Sequence, residues 1–316
     1  MPRRIVLDTD MGSDVDDALC LALAIASPEI DLVGVTHVSG DTTLRACISR
    51  KLLDLAGRSD IPVFAGRSDP LSADPGRFVW FGNEGKGILD HADQGEVERE
   101  DAVDALIRLL SEEEGLEVVA VGPMTNLAAA FRKSPEVVGR IARLTIMGGH
   151  LREISYGGRV FPAGVDYNLC SDGEASIEVL SRAAPIRLVT GDVTLGTWLT
   201  ARGLSEISDG ASALRAALVA AVREWTPIMR GLFGAGESIS NDANVAFLHD
   251  PLALASVFDE SFCDFEDLNV EPCMVDGIFR TLERSTPTPA SFPMRCAVDV
   301  DAGRFHEFFV SRLRTL

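Results

Sequence analysis

Five aspartates fall within ten residues near the start of the chain, in Leu7-Asp8-Thr9-Asp10-Met11-Gly12-Ser13-Asp14-Val15-Asp16-Asp17-Ala18. A carboxylate at the start of a helix satisfies free backbone N–H groups and the helix dipole. That accounts for Asp14 or Asp16, but not for all five. Carboxylates this close repel one another, and the simplest remedy is a hard divalent cation that takes oxygen ligands. Gly12 lets the backbone turn tightly around such an ion. The six cysteines (Cys20, Cys47, Cys170, Cys263, Cys273, Cys296) are scattered without a C-x-x-C pair, so no zinc or disulfide framework competes with this reading. Cys20 and Cys47 read as buried thiols on apolar helix faces.

The elements around the cluster set its position. Arg4–Leu7 reads as a strand and Asp16–Ala26 as a helix, so the aspartates lie where a strand ends and a helix begins, the place where open α/β sheets build sites. The alternation continues: strands at Asp31–Thr36, Ile61–Phe64, Leu116–Val121, Arg143–Met147 and Ile186–Val189, and helices at Thr43–Leu55, Ala102–Leu110, Thr125–Arg132, Asp172–Ser181 and Ser212–Met229. A further helix starts at Asp250, residues 266–300 read as extended segments with turns, and Ala302–Leu313 closes the chain. Strand–helix alternation implies right-handed crossovers and a sheet covered on both faces. The expected fold is one α/β domain over residues 1–316, with an open, mostly parallel, Rossmann-like sheet. Ala65–Gly95 is too long for an ordinary connection and reads as a functional loop; Gly231–Asn244 is a second Gly-rich loop.

A strand followed by D-x-D fits two enzyme classes. One is the haloacid-dehalogenase-like phosphatases, in which the first aspartate is a nucleophile. That pattern also wants a late G-D-x-x-x-D, and Gly191-Asp192-Val193-Thr194-Leu195-Gly196 lacks the final acid. The other is carried by motifs along the whole chain. Asp8-Thr9-Asp10-Met11-Gly12 with Asp16-Asp17-Ala18, Val121-Gly122-Pro123-Met124-Thr125-Asn126, Met147-Gly148-Gly149, Asp166-Tyr167-Asn168 with Asp172-Gly173-Glu174-Ala175, and His249-Asp250-Pro251 resemble, in type and order, the motifs of the inosine–uridine-preferring nucleoside hydrolases.

The resemblance implies calcium-dependent hydrolysis of the N-glycosidic bond of ribonucleosides. It makes Asp10 a calcium ligand and the base for the attacking water. Asp17 becomes a bidentate ligand, Thr125 a backbone ligand, and Asp250 a ligand that also touches the sugar. Asp16, Asp166 and Asn168 would bind ribose hydroxyls, and His249 takes the place of a leaving-group contact or acid. Departures are Met11 for the family's proline, two residues inserted before Asp16-Asp17, which leave Asp14 as a competing ligand, Asp166 for a glutamate, and Asp41 for an asparagine in Val38-Ser39-Gly40-Asp41. No histidine stands in Trp80-Phe81-Gly82-Asn83-Glu84-Gly85, where the family often has one for base contact. A homodimer or homotetramer also follows from the resemblance.

The chemistry supports these residue types independently. Displacing a nucleobase passes through an oxocarbenium-like cation that carboxylates stabilise. Trp80 is a candidate to stack on the base. His37, His91, His150 and His306 match no ligand spacing. The formal charge of −19 argues against nucleic-acid or anionic-membrane surfaces. Of 29 basic residues only Lys51, Lys86 and Lys133 are lysines, which reads as base composition or salt adaptation. The N-terminus lacks the apolar stretch of a signal peptide, and the expectation is a cytoplasmic enzyme. A catalytically inactive nucleoside- or sugar-binding protein is the alternative outside enzymes.

Overall fold

The computed structural model describes residues 2–72, 81–90, 97–182, 184–233 and 243–316. The first half runs β1 (Arg3–Thr9), α1 (Asp16–Ala26), β2 (Ile30–His37), α2 (Thr42–Leu55), β3 (Val63–Ala65), α3 (Ala102–Glu112), β4 (Glu117–Ala120), α4 (Thr125–Lys133) and β5 (Arg143–Met147). A small hairpin, β6 (Ile154–Tyr156) and β7 (Arg159–Phe161), precedes α5 (Tyr167–Ser171), α6 (Gly173–Leu180) and β8 (Ile186–Val189). Then come α7 (Gly191–Thr194), β9 (Trp198–Thr200), α8 (Ala201–Ser208), α9 (Ala213–Phe233), β10 (Asn244–Phe247) and α10 (His249–Phe258). The chain ends with β11 (Cys263–Val275), β12 (Ile278–Arg284), β13 (Phe292–Val300) and α11 (Ala302–Leu313).

Nine of the described strands form one sheet in the order β12-β11-β13-β8-β5-β4-β1-β2-β3. From β13 to β3 every neighbour is parallel; β11 alone runs against both its neighbours. The central strands are short apolar runs, buried along their length, as both-face coverage requires. One apolar cluster joins α1, α2, α9, α10 and α11 on one face. A second joins α3, α4 and α6 on the other. No helix of the described residues is long and apolar enough to cross a membrane.

The expected mostly parallel α/β fold is therefore observed, and the helix expected over Asp172–Ser181 is α6. A short helix that was not expected, α5, precedes it and ends at Asp172, whose carboxylate caps α6 by accepting from Ala175 N. An aspartate before a glycine prefers that cap to a helix interior. The extended region 266–300 is the antiparallel edge β11–β13. Finally, β9 and β10, short strands hidden in a Gly-rich region, pair antiparallel and deliver the chain directly into α10.

Candidate active site

The loops after β1, β2, β4, β5 and β8 all open at the carboxyl edge of the parallel sheet, where such folds hold ligands. The Asp10–Ser13 turn is built so that little of it can move. Gly12 has φ +104°, and a Cβ there would lie 2.7 Å from Ile48 Cδ1; only glycine fits. Met11 N–H donates to Thr9 Oγ1 at 3.1 Å. Arg45, fully buried on α2, donates to the carbonyls of Asp10 and Met11 and to Ser13 Oγ. Asn83 Nδ2 donates to Ser13 O at 3.3 Å. On the other side Gly122 approaches so closely that a Cβ would lie 2.8 Å from Asp10 N.

Around this turn the carboxylates converge. Asp16 and Asp17 occupy the first turn of α1, and Asp250 the first turn of α10. The two helices pack against each other, so their N-termini, where negative charge is favoured, share one place. One oxygen each from Asp16, Asp17 and Asp250 lies within 4.8 Å of the others. Asp8, Asp10, Asp16, Asp17 and Asp250 are all buried. Burial, reinforced by mutual repulsion, pushes Asp16, Asp17 and Asp250 well above the usual carboxylate range. Burial also raises Asp10, against the pull of the Arg45 charge, and lifts Asp14 to about 8. Thr9 Oγ1 donates to Asp17. Buried acids with hard oxygen donors and excess negative charge fit a divalent cation far better than an empty pocket. Asp14, Asp16 and His249 form a second group with ligand atoms within 4.8 Å, so Asp14 faces the imidazole side and Asp17 the Asp250 side.

The motif Gly122-Pro123-Met124-Thr125-Asn126 supplies framework. Asn126 Nδ2 donates to Asp8 Oδ1 at 2.8 Å and to His37 O at 3.0 Å, while its Oδ1 accepts from Arg67 N at 2.9 Å. Asp8 also accepts from Thr36 Oγ1 at 2.6 Å, and burial pushes it up to about 7. Thr125 Oγ1 donates to Asp172 Oδ2 at 2.8 Å. Asp172 further collects Leu71 N, Ser72 N and Ser72 Oγ, locking the segment after β3 onto α4 and α6.

Asn168 Nδ2 donates to Val121 O at 2.8 Å and Met147 O at 3.2 Å, placing it between the ends of β4 and β5. Asp166 caps α5 through Leu169 N, its Oδ2 is buried without a partner, and burial raises it to about 6. His249 opens α10. Its ring stacks on Phe247 at 5.0 Å between centroids, and Nδ1 lies 2.7 Å from Thr194 Oγ1. Burial pushes the imidazole down to about 4, so it is neutral near pH 7. Thr194 Oγ1 also reaches Gly191 O at 3.4 Å, so this hydroxyl links the His249 ring to the backbone of α7. Asp41 is exposed and caps α2 by accepting from Leu44 N. Trp80 and His91 lie outside the described residues. His37, buried between Phe64 O and Ser49 Oγ, is a satisfied core histidine.

The structure thus brings Asp16, Asp17, Asp250 and His249 together beside the Asp10 turn, and leaves Asp41 as a surface cap. Two contributors were missed in the sequence. Arg45 falls at i, i+3, i+4 and i+7 spacing with the buried Ile48, Ser49 and Leu52, and an arginine on an apolar stripe is the signal that would have found it. Asn83 had no such signal.

Solved structures share this fold. A plant nucleoside hydrolase superimposes with a TM-score of 0.84 at 25% identity, covering 100% of both chains. A purine-preferring ribonucleoside hydrolase from Gardnerella vaginalis gives 0.82 at 27% identity, over 99% of this chain and 98% of that one. Fold and site together define a nucleoside hydrolase, an enzyme acting on N-glycosyl bonds. More narrowly, the chain belongs to the inosine-uridine preferring nucleoside hydrolase family, whose profile matches residues 5–307. The family's enzyme from Crithidia fasciculata is 28% identical over 318 residues, spanning 96% of this chain and 95% of that protein. The phosphatase reading gives way accordingly.

Proposed function

We propose that the chain hydrolyses ribonucleosides to ribose and free base with one calcium ion, held by Asp10, Asp17, Asp250 and the backbone of Thr125. The observation that carries this is the convergence of Asp16, Asp17 and Asp250 oxygens within 4.8 Å beside the clamped Asp10 turn. When bound, calcium supplies a hard Lewis acid that orients the sugar diol and makes a water more acidic.

The chain's own residues do the rest. Asp10 accepts the proton of the attacking water on a carboxylate oxygen as the water adds to the anomeric carbon. Asp16, Asp166, Asn168 and Asp250 hold the ribose hydroxyls, and their binding energy favours the flattened sugar of the transition state. The surrounding carboxylates stabilise its positive charge. His249, with its proton on Nε2, donates to the departing base, and Trp80 stacks on that base. Asp41, whose Oδ1 caps α2, joins the sugar contacts through its other carboxylate oxygen.

Relatives named for inosine, uridine and purine nucleosides make those compounds the substrate panel. Chelation to a metal-free state, verified by elemental analysis, should abolish base release from inosine and uridine, and added calcium should restore it. Full turnover by verified metal-free protein would refute the calcium reading.

A further inference from the structure

Arg45 has no place in the chemistry above, yet it is completely buried beneath the carboxylates. Its Nε donates to Ser39 O at 2.6 Å, Nη1 to Met11 O at 2.8 Å and to Asp10 O, and Nη2 to Ser13 Oγ at 3.1 Å. One rigid fork therefore joins the loop after β1 to the loop after β2. Ser39, at φ +71°, holds a conformation that non-glycine residues adopt only when their surroundings impose it, and the Arg45 bond to its carbonyl is part of that restraint. Asn83 grips the same turn from the opposite side through Ser13 O. Arg50, the next buried arginine on α2, makes a useful contrast: it binds Ile61 O, Arg58 O and Asp54 and only closes the turn into β3.

We propose that Arg45 is a positioning residue for the cation site, holding the Asp10–Ser13 turn so that Asp10 faces Asp16, Asp17 and Asp250 before any cation arrives. This rests on the calcium reading. Geometry and charge predict opposite signs for its removal. A positive charge beside a cation site repels the cation, so charge alone would make an Arg45 variant bind calcium more tightly. Positioning predicts weaker binding, because the ligands must first be ordered. Lysine keeps the charge but cannot bridge the acceptors that the planar fork reaches at once.

The test is calorimetric titration of calcium into metal-free wild type, Arg45→Lys, Arg45→Met and Ser13→Ala, with folding checked by circular dichroism. Both Arg45 variants should bind calcium on the order of 10–100-fold more weakly, the worth of one charged hydrogen bond. At saturating calcium their kcat should fall by about 10²-fold, as expected for a small misplacement of a reacting group, with KM for inosine changed far less. Ser13→Ala keeps the buried charge and loses one acceptor, so its calcium affinity should fall by about 5-fold; it decides the matter if an Arg45 variant does not fold. Folded Arg45 variants, or Ser13→Ala, that bind calcium as tightly as wild type or more tightly would overturn the proposal. A wild type that takes up no calcium would instead end the reading on which it rests.

Discussion

Thr194→Val tests whether leaving-group activation is separable from sugar activation. Thr194 does not belong to the carboxylate cluster; its hydroxyl lies 2.7 Å from His249 Nδ1. Valine keeps the shape and removes that hydroxyl, so the neutral ring loses its Nδ1 partner, which in the proposed role donates to Nδ1 and holds the ring proton on Nε2. An unsatisfied buried group costs about 1–3 kcal/mol, and part of that falls on the ground state. The expected loss in kcat/KM on inosine is therefore about 10-fold. His249→Ala removes the donor outright and should cost on the order of 10²-fold, the low end for acid–base assistance. p-Nitrophenyl riboside separates the roles, because nitrophenolate leaves as a stable anion and needs no donor. Neither variant should slow it appreciably. Because Thr194 acts through His249, the double variant should be no slower on inosine than His249→Ala. Equal slowing of both substrates by His249→Ala would refute the leaving-group role and make His249 a support for Asp250. A Thr194→Val enzyme with wild-type inosine turnover would refute the tautomer argument.

Asp10→Asn should lower kcat by on the order of 10²–10⁴, the range for losing a general base; a calcium-loaded variant with near-normal kcat would move the base to Asp14. 2′-Deoxyinosine should be a poor substrate, since a site built for a hydroxyl can lose 10⁴–10⁵ in kcat/KM when it is missing; equal rates with inosine would contradict the diol contacts. pH should act on metal-free stability through the carboxylates. Asp8 and Asp14 are raised to about 7 and about 8 from 3.8, so their stabilising contribution is full below about pH 3.8 and lost as pH rises through 7 to 8. His37 and His249, lowered to about 3 and about 4, work the other way: their contribution is present above about pH 6.5 and lost as pH falls through 4 towards 3. The raised carboxylates, with Asp10, Asp16, Asp17 and Asp250 among them, outnumber the two, so metal-free protein should melt higher at pH 5.5 than at pH 8. Saturating calcium, which needs ionised ligands, should reverse that order; scanning calorimetry at both pH values, with and without calcium, checks it.

The parallel part of the fold was legible because its strands and helices announce themselves by period. α1 and α11 match their expected limits, and the central strands fall within a residue or two of theirs. What failed did so for local reasons. β9 and β10 are three and four residues long, too short to show an alternation, and they are strands only because each pairs with the other. α5 is only five residues long and was missed because it ends at Asp172, whose carboxylate caps α6 and anchors Leu71 and Ser72.

The acids of the site were legible as chemistry, whereas what holds them was not. Five aspartates in ten residues read as a cation site because no smaller explanation absorbs that much charge. The sequence did not divide the ribose and cation sides among Asp14, Asp16 and Asp17, since that depends on where α10 brings its first turn. In the structure Asp16 and Asp17 meet Asp250, and Asp14 turns towards His249, so the two inserted residues are absorbed by the turn and not by the helix. The same logic separates Asp10 from Asp8. Asp8 is still in β1, paired across the sheet with Thr36 and Ala120, and its carboxylate is tied to Thr36 and Asn126. Asp10 has left the strand, and its carbonyl, held by Arg45, fixes where its carboxylate can point. A strand residue braces the site and the loop residue after it is free to act, and that difference of two positions is set by where the hydrogen bonding of the sheet stops.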